Sequence, residues 1–212
     1  MPDMERSNYK LNTLARSELN PDPIRQFQSW LDDALQTPMP EPTAMNLATC
    51  NKAGEVSSRI VLLKACDERG FMFFTNYESH KAADLADNPH AALCFWWGVL
   101  ERQVRIEGNI EKLSAEESDG YYASRPRGSQ IGAIASRQST VIDGYHVLTE
   151  QVEATEKQYA EGQSIPRPDY WGGYLLRPVT IEFWQGRPSR LHDRLKYKKV
   201  AGGDWTIERL SP

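Results

Sequence analysis

Residues 190–194 read Arg190-Leu191-His192-Asp193-Arg194, two guanidiniums and an imidazole within five positions, close behind the apolar-aromatic run Ile181-Glu182-Phe183-Trp184. From Arg187 to Lys199 the charge is strongly cationic: Arg187, Arg190, Arg194, Lys196, Lys198 and Lys199 face only Asp193, in a chain whose formal net charge is −4. Rings to stack on, beside guanidiniums that grip oxygens, suit a flat anionic ligand. The competing reading is a solvated, charged strand near the C-terminus.

Further clusters have anion-binding chemistry. Arg59 and Lys64 bracket the apolar run Ile60-Val61-Leu62-Leu63. Residues five apart point to opposite faces of a regular strand, so either a bulge intervenes or the two cations serve different walls. In Thr75-Asn76-Tyr77-Glu78-Ser79-His80-Lys81 a strand gives way to a helix near Ser79, where free N–H groups and the helix dipole favour a phosphate. Lys81 opposes that dipole, and a bound anion would account for its place. Gln103 and Arg105 share a strand face, and an amide there can both donate to and accept from a heterocycle edge. Tyr121, Arg125, Arg127 and Ser129 lie at a helix boundary and can wrap a phosphate, and Arg137-Gln138-Ser139 adds a donor-rich turn. Together these exceed what one monophosphate needs. Two phosphorylated small molecules in one site would use them.

The elements that must position these groups are mostly strands. Asp22-Pro23 reads as an N-cap with a first-turn proline, and Ile24, Phe27, Trp30, Leu31, Ala34 and Leu35 follow with helical spacing until Pro38 and Pro40. Strand signals run over 44–50, 56–65, 71–75, 91–97 and 102–112, separated by turns at 51–54 and 67–70 and by a short helix near 79–86, and read as a meander of hairpins. Ser114-x-x-Glu117 is a capping box, and 144–160 is a charged helix with one exposed face. Three strands, 173–177 with 180–184, then 190–197, then 205–210, close the chain. Antiparallel strands with peripheral helices predict a mainly β fold, a small barrel or strongly curved sheet. The absence of βαβ alternation and of GxGxxG argues against a Rossmann site.

Length and composition bound the function. With 212 residues, 40% hydrophobic and 25% charged, the expectation is one soluble globular domain over 21–212 behind a flexible segment, 1–20. An acidic net charge gives no reason to expect nucleic-acid binding. No apolar run is long enough for a membrane span. Cys50, Cys66 and Cys94 lack CxxC spacing, so no metal is expected, and three reduced thiols without a leader point to the cytoplasm.

Read in order, Arg59-Ile60-Val61-Leu62-Leu63-Lys64, Leu100-Glu101-Arg102-Gln103-Val104, the run 124–133 (SRPRGSQIGA), Gln138-Ser139, Phe183-Trp184-Gln185-Gly186, Arg190 to Arg194 and the ending 205–212 (WTIERLSP) resemble the pyridoxine/pyridoxamine 5′-phosphate oxidase family. The resemblance spans nearly all of the chain from Pro21 onward. It implies an antiparallel, Greek-key-like, FMN-binding split β-barrel that works as a homodimer with FMN at the subunit interface. By position it implies flavin contacts at Arg59, Ile60, Val61, Leu62, Leu63, Lys64, Phe74, Thr75, His80, Lys81, Gln103, Gln138, Ser139, Trp184 and Arg194. It implies substrate contacts at Lys64, Tyr121, Arg125, Ser129, Arg190 and His192, with Arg190 and His192 at the reacting ring and Arg6 to Tyr9 as a lid.

The implied activity is oxidation of pyridoxine or pyridoxamine 5′-phosphate to pyridoxal 5′-phosphate, with O2 as acceptor, giving H2O2 and, from the amine, ammonia. Under it His192 either positions substrate or transfers a proton. Two rival readings stand beside it: a related FMN oxidase acting on another aromatic substrate, as in phenazine pathways, and a non-enzymatic binder of FMN or pyridoxal phosphate. One position departs from the resemblance. Residue 80 is His where relatives carry Arg, so FMN affinity is expected to fall as pH rises from about 6 to 8.

Overall fold

The computed structural model describes residues 8–212. Arg6 lies outside the described residues. Helix α1 (Pro23–Leu35) starts as its sequence predicts: the Asp22 carboxylate accepts the Ile24 N–H at 2.8 Å and Pro23 occupies the first turn. Its apolar face is buried, and Phe27 meets the rings of Phe71, Phe95 and Trp97 at 4.8–5.9 Å.

The strands are β1 (Ala44–Cys50), β2 (Val56–Leu62), β3 (Ala65–Asp67), β4 (Gly70–Asn76), β5 (His90–Trp97), β6 (Arg102–Lys112), β7 (Trp171–Gln185), β8 (Asp193–Lys199) and β9 (Trp205–Arg209). Every pairing is antiparallel, in the order β2-β1-β5-β6-β7-β4-β3, with β8 on β7 and β9 on β8. Hairpins β1–β2, β3–β4 and β5–β6 match the expected meander. Strand β5, however, returns to β1 instead of pairing with β4, which makes the order Greek-key-like. Leu63 donates to Thr43 while Lys64 donates to Met72, so the run from β2 into β3 passes from β1 to β4 and closes the ring. Alternate residues fill the interior, among them Met45, Leu47, Phe71, Phe73, Leu93, Phe95, Val104, Ile106, Ile181 and Phe183.

The strand expected at 173–177 with 180–184 is the continuous, longer β7. In β7, Gly108 stands opposite Pro178 and Glu107 opposite Thr180, leaving Val179 as the extra residue of a bulge. Pro178 has no N–H for a ladder. Before it β7 pairs with β4, and beyond it with β8. The sheet divides there into a split barrel.

The strand expected from Arg190 begins only at Asp193. Residues 188–190 form a 3-10 turn in which Ser189 (φ 54°) and Arg190 (φ 63°) are left-handed, a region that takes a chain out of a ladder. Helices α2 (His80–Asp87), α3 (Ala115–Ser124), α4 (Arg127–Ala135) and α5 (Tyr145–Gln158) are peripheral. The Ser114–Glu117 capping box opens α3. Among the described residues no helix is long and apolar enough to cross a membrane.

Candidate functional site

Strand register assembles one half of the site. Trp96, Gln103, Trp184 and Arg194 are successive partners across β5, β6, β7 and β8, a single rung on one sheet face. Trp96 and Trp184 lie 5.9 Å apart between ring centroids, and His192 sits 4.5 Å from Trp184. The Arg187 N–H donates to His192 Nδ1 at 3.1 Å. Burial, then the Arg190 cation, push the His192 pKa below its ordinary value. Arg194 donates from Nε to Glu182 at 2.7 Å and from Nη1 to the Ser211 carbonyl at 2.9 Å. Arg190 itself is exposed. Bonds from the Leu11 N–H to Glu101 and the Leu14 N–H to Asp193 lay residues 8–14 across this end of the barrel, with Tyr9 edge-on to Trp184 at 5.7 Å.

The second cluster gathers where β4 meets α2. Lys81 is 8% exposed, and its Nζ donates to Gln138 Oε1 (2.6 Å), Thr75 Oγ1 (3.1 Å) and Ser79 Oγ (3.1 Å), none of them a carboxylate. Burial, reinforced by the nearby Arg59 cation, lowers the Lys81 pKa to about 8. Arg59 lies on the same sheet face as its partner Leu47 and donates to Thr49 Oγ1 at 2.7 Å and Ser57 Oγ at 2.5 Å. Those two hydroxyls donate in turn to buried Asp84 at 2.6 and 2.8 Å. Burial opposes ionisation of Asp84, but these bonds hold its carboxyl below the usual range. His80 is exposed, with Nε2 3.6 Å from Asp84 Oδ1. Ile60 is 65% exposed, Leu63 is buried and Lys64 is exposed. Arg59 and Lys64 therefore serve different walls, the second of the two alternatives their spacing left open.

Next to Thr75, Phe74 stacks on Tyr121 at 3.8 Å and on Trp171 at 5.7 Å. The Arg125 guanidinium sits 4.5 Å over Trp171, and its buried Nη1 has no hydrogen-bond partner among the described residues. Burial lowers the Arg125 pKa. Ser129 is exposed on the first turn of α4. Arg127 does not join Arg125, contrary to the expectation that both wrap a phosphate. Its guanidinium is taken by the carbonyls of Tyr159, Ala160 and Gln163, tying α4 to the end of α5. Ser139 is left-handed (φ 73°) at the turn that carries Gln138.

The Lys81 and Arg125 groups thus adjoin, whereas the Trp184 rung stands apart. Gly173, the partner of Phe74, and Trp184 are eleven residues apart on β7, up to about 36 Å of strand. Among the described residues no hydrogen bond, ion pair or ring contact joins the two halves.

Comparison with known proteins decides the family. A family model described as pyridoxamine 5′-phosphate oxidase matches residues 31–159, and one described as the pyridoxine 5′-phosphate oxidase C-terminal dimerisation region matches 171–212. This chain belongs to the pyridoxamine 5′-phosphate oxidase family. Curated proteins named pyridoxine/pyridoxamine 5′-phosphate oxidase from Burkholderia multivorans and Cupriavidus metallidurans are 58% and 56% identical to it, each comparison covering 98% of this chain and 97% of the relative. A crystal structure of PhzG from Burkholderia lata, in complex with tetrahydrophenazine-1-carboxylic acid, superposes with a TM-score of 0.89 at 29% identity, covering 95% of this chain and 99% of that one.

The dimerisation region supplies Trp184, His192 and Arg194 to the rung and Trp171 to the Arg125 group, whereas 31–159 supplies Trp96 and Gln103 together with Lys81 and Arg125. Residues of these clusters that escaped the sequence reading include Trp96 in the rung, Trp171 under Arg125, Glu182 under Arg194, and Asp84 under Arg59. For Glu182 a signal existed, a lone acid inside an apolar strand run, which in a barrel calls for a paired cation.

Proposed function

We propose that this chain oxidises pyridoxine 5′-phosphate and pyridoxamine 5′-phosphate to pyridoxal 5′-phosphate, with FMN as cofactor and O2 as acceptor. The observation that carries this reading is the half-buried Arg125 guanidinium over Trp171, whose buried Nη1 is unpaired among the described residues. A buried donor without a partner costs about 1–3 kcal/mol, a cost a bound phosphate oxygen would remove. Lys81 supports FMN in the same way: a buried ammonium surrounded by neutral oxygens and a second cation fits a phosphate dianion.

In this reading Arg59, Thr75, Lys81 and Gln138 hold the FMN phosphate, with His80 at the rim and the backbone of Ile60, Val61, Leu62 and Leu63, with Phe74 and Ser139, along the cofactor. Tyr121, Arg125, Ser129 and Lys64 hold the substrate phosphate. Gln103, Trp184 and Arg194 face the flavin ring. Arg190 and His192 face the substrate ring, with His192 as positioning donor, and residues 8–14 lie over this end of the 21–212 domain, bringing Tyr9 to the site. Bound FMN supplies the hydride acceptor. The protein supplies alignment, a dry aromatic cleft and fixed cations.

Because the halves stand apart in one chain, a second copy related by a two-fold axis supplies the Trp184 rung to its partner's Lys81 and Arg125 groups. A homodimer would then hold two such sites. The thiols of Cys50, Cys66 and Cys94 are free, as suits a cytoplasmic enzyme. The phenazine-type alternative has the PhzG likeness in its favour, but the Arg125 grip suits a phosphorylated substrate better. Anaerobic mixing of FMN-loaded protein with pyridoxamine 5′-phosphate should bleach the visible flavin band. A band that persists would overturn the proposal.

A further inference from the structure

Two residues from the Trp96–Gln103–Trp184–Arg194 rung, and so on the same face, runs a second rung: Cys94, Arg105, Glu182 and Lys196. Glu182 is 6% exposed. A carboxylate so buried needs charged partners. It has two: Arg194 Nε at 2.7 Å on Oε1, and Arg105 Nη1 at 3.4 Å on Oε2. Arg105 also bonds Glu107 at 2.9 Å, so the closer and undivided partner of Glu182 is Arg194. The guanidinium of Arg194 offers three edges. Glu182 takes Nε and the Ser211 carbonyl takes Nη1, while Nη2 has no partner among the described residues.

We infer that Glu182 is a positioning residue for the cofactor. It locks Arg194 in plane so that the Nη2 edge is the one presented to an acceptor oxygen of the flavin ring, and it offsets part of the positive charge beneath that ring. The inference rests on the reading that Arg194 contacts FMN. A planar fork held at two corners loses little freedom when its third corner binds, which is why the clamp improves affinity without touching the ligand.

The test is a double-mutant cycle on the FMN dissociation constant of the full chain, with FMN added to the purified protein. Glu182→Gln should weaken FMN binding about tenfold in the Arg194 background and less than about twofold in the Arg194→Ala background. Equal losses in both backgrounds, or no loss in the first, would overturn the inference while leaving the proposed function standing. If the unsubstituted protein binds no FMN, both fall. Should Glu182→Gln fail to fold, as its melting curve would show, Arg194→Lys serves instead. Lysine keeps the charge and can reach Glu182 but has no separate edges, so it should lose about tenfold as well. Affinity equal to that of the unsubstituted protein would overturn the inference.

Discussion

The backbone N–H of Arg187 donates to Nδ1 of His192, and that bond leaves Nε2 as the nitrogen free to meet a ligand. A nitrogen that accepts from an amide carries no proton, so the neutral ring holds its hydrogen on Nε2. His192 is thus built as a donor. Its pKa is pushed below 6.5 by burial and by Arg190, so the ring is neutral at pH 7. Protonation would set Nδ1–H against the Arg187 N–H. We expect kcat/KM to hold between about pH 6.5 and 8 with respect to this group and to fall below that window. The unfolded chain binds the proton first, so stability also declines as pH falls from 6.5 through the folded value. His192→Gln, which keeps a donor, should stay within about tenfold of the unsubstituted enzyme, and His192→Ala should raise KM more. A pH–rate profile showing a basic limb that His192→Gln removes would contradict the donor assignment.

Arg125 separates stability from binding. Arg125→Met keeps a long side chain over Trp171 and removes the unpaired buried Nη1, so the ligand-free melting temperature should hold or rise. The KM for pyridoxamine 5′-phosphate should increase about 10- to 100-fold, from the loss of roughly 1.5–3 kcal/mol of charge-assisted bonding. Activity on unphosphorylated pyridoxamine, weak in both proteins, should be unchanged. Equal losses on both substrates would remove Arg125 from the phosphate grip.

Lys81 should make stability and cofactor affinity respond to pH with opposite signs. Its folded pKa is about 8 against an ordinary 10.5. Between those values the unfolded chain binds more protons, so the ligand-free protein gains stability as pH rises from about 8 towards 10.5. Over the same rise FMN loses the ammonium that grips its phosphate, and its dissociation constant should climb. Lys81→Arg, charged throughout, should flatten both curves. Parallel melts and FMN titrations from pH 7 to 10 are the check.

The turn before His192 stores backbone strain. Ser189 is left-handed (φ 54°) directly before left-handed Arg190. Ser189→Gly relieves the steric cost, and the greater freedom of glycine in the unfolded chain takes part of that gain back. A net stabilisation of about 0.5–1 kcal/mol is expected by denaturant melts. Turnover should fall modestly as Arg190 and His192 lose their fixed approach. A destabilised variant would mean that the serine side chain, not its backbone, holds the turn.

Much of the scaffold is written locally. Asp22-Pro23, the Ser114–Glu117 box and the alternation within 44–50 and 102–112 concern neighbours a few residues apart, whose sterics and hydrogen bonds do not await the rest of the chain. The family motifs were likewise legible, since their residue types appear in order along the sequence. What spacing could not supply was register. The alignment of Trp96, Gln103, Trp184 and Arg194 on one rung, the bulge at Val179, and the burial of Glu182 and Asp84 beside their arginines arise from pairings between residues far apart in the chain. The two arginines of 125–127 look equivalent in sequence. Only the packing of α4 against α5 commits Arg127 to carbonyls, while the buried Arg125 Nη1 is left without a partner among the described residues. Local propensity thus determined the elements and the inventory of charged groups, whereas long-range hydrogen bonding and desolvation, which exist only once the barrel closes, decided which of those groups act together.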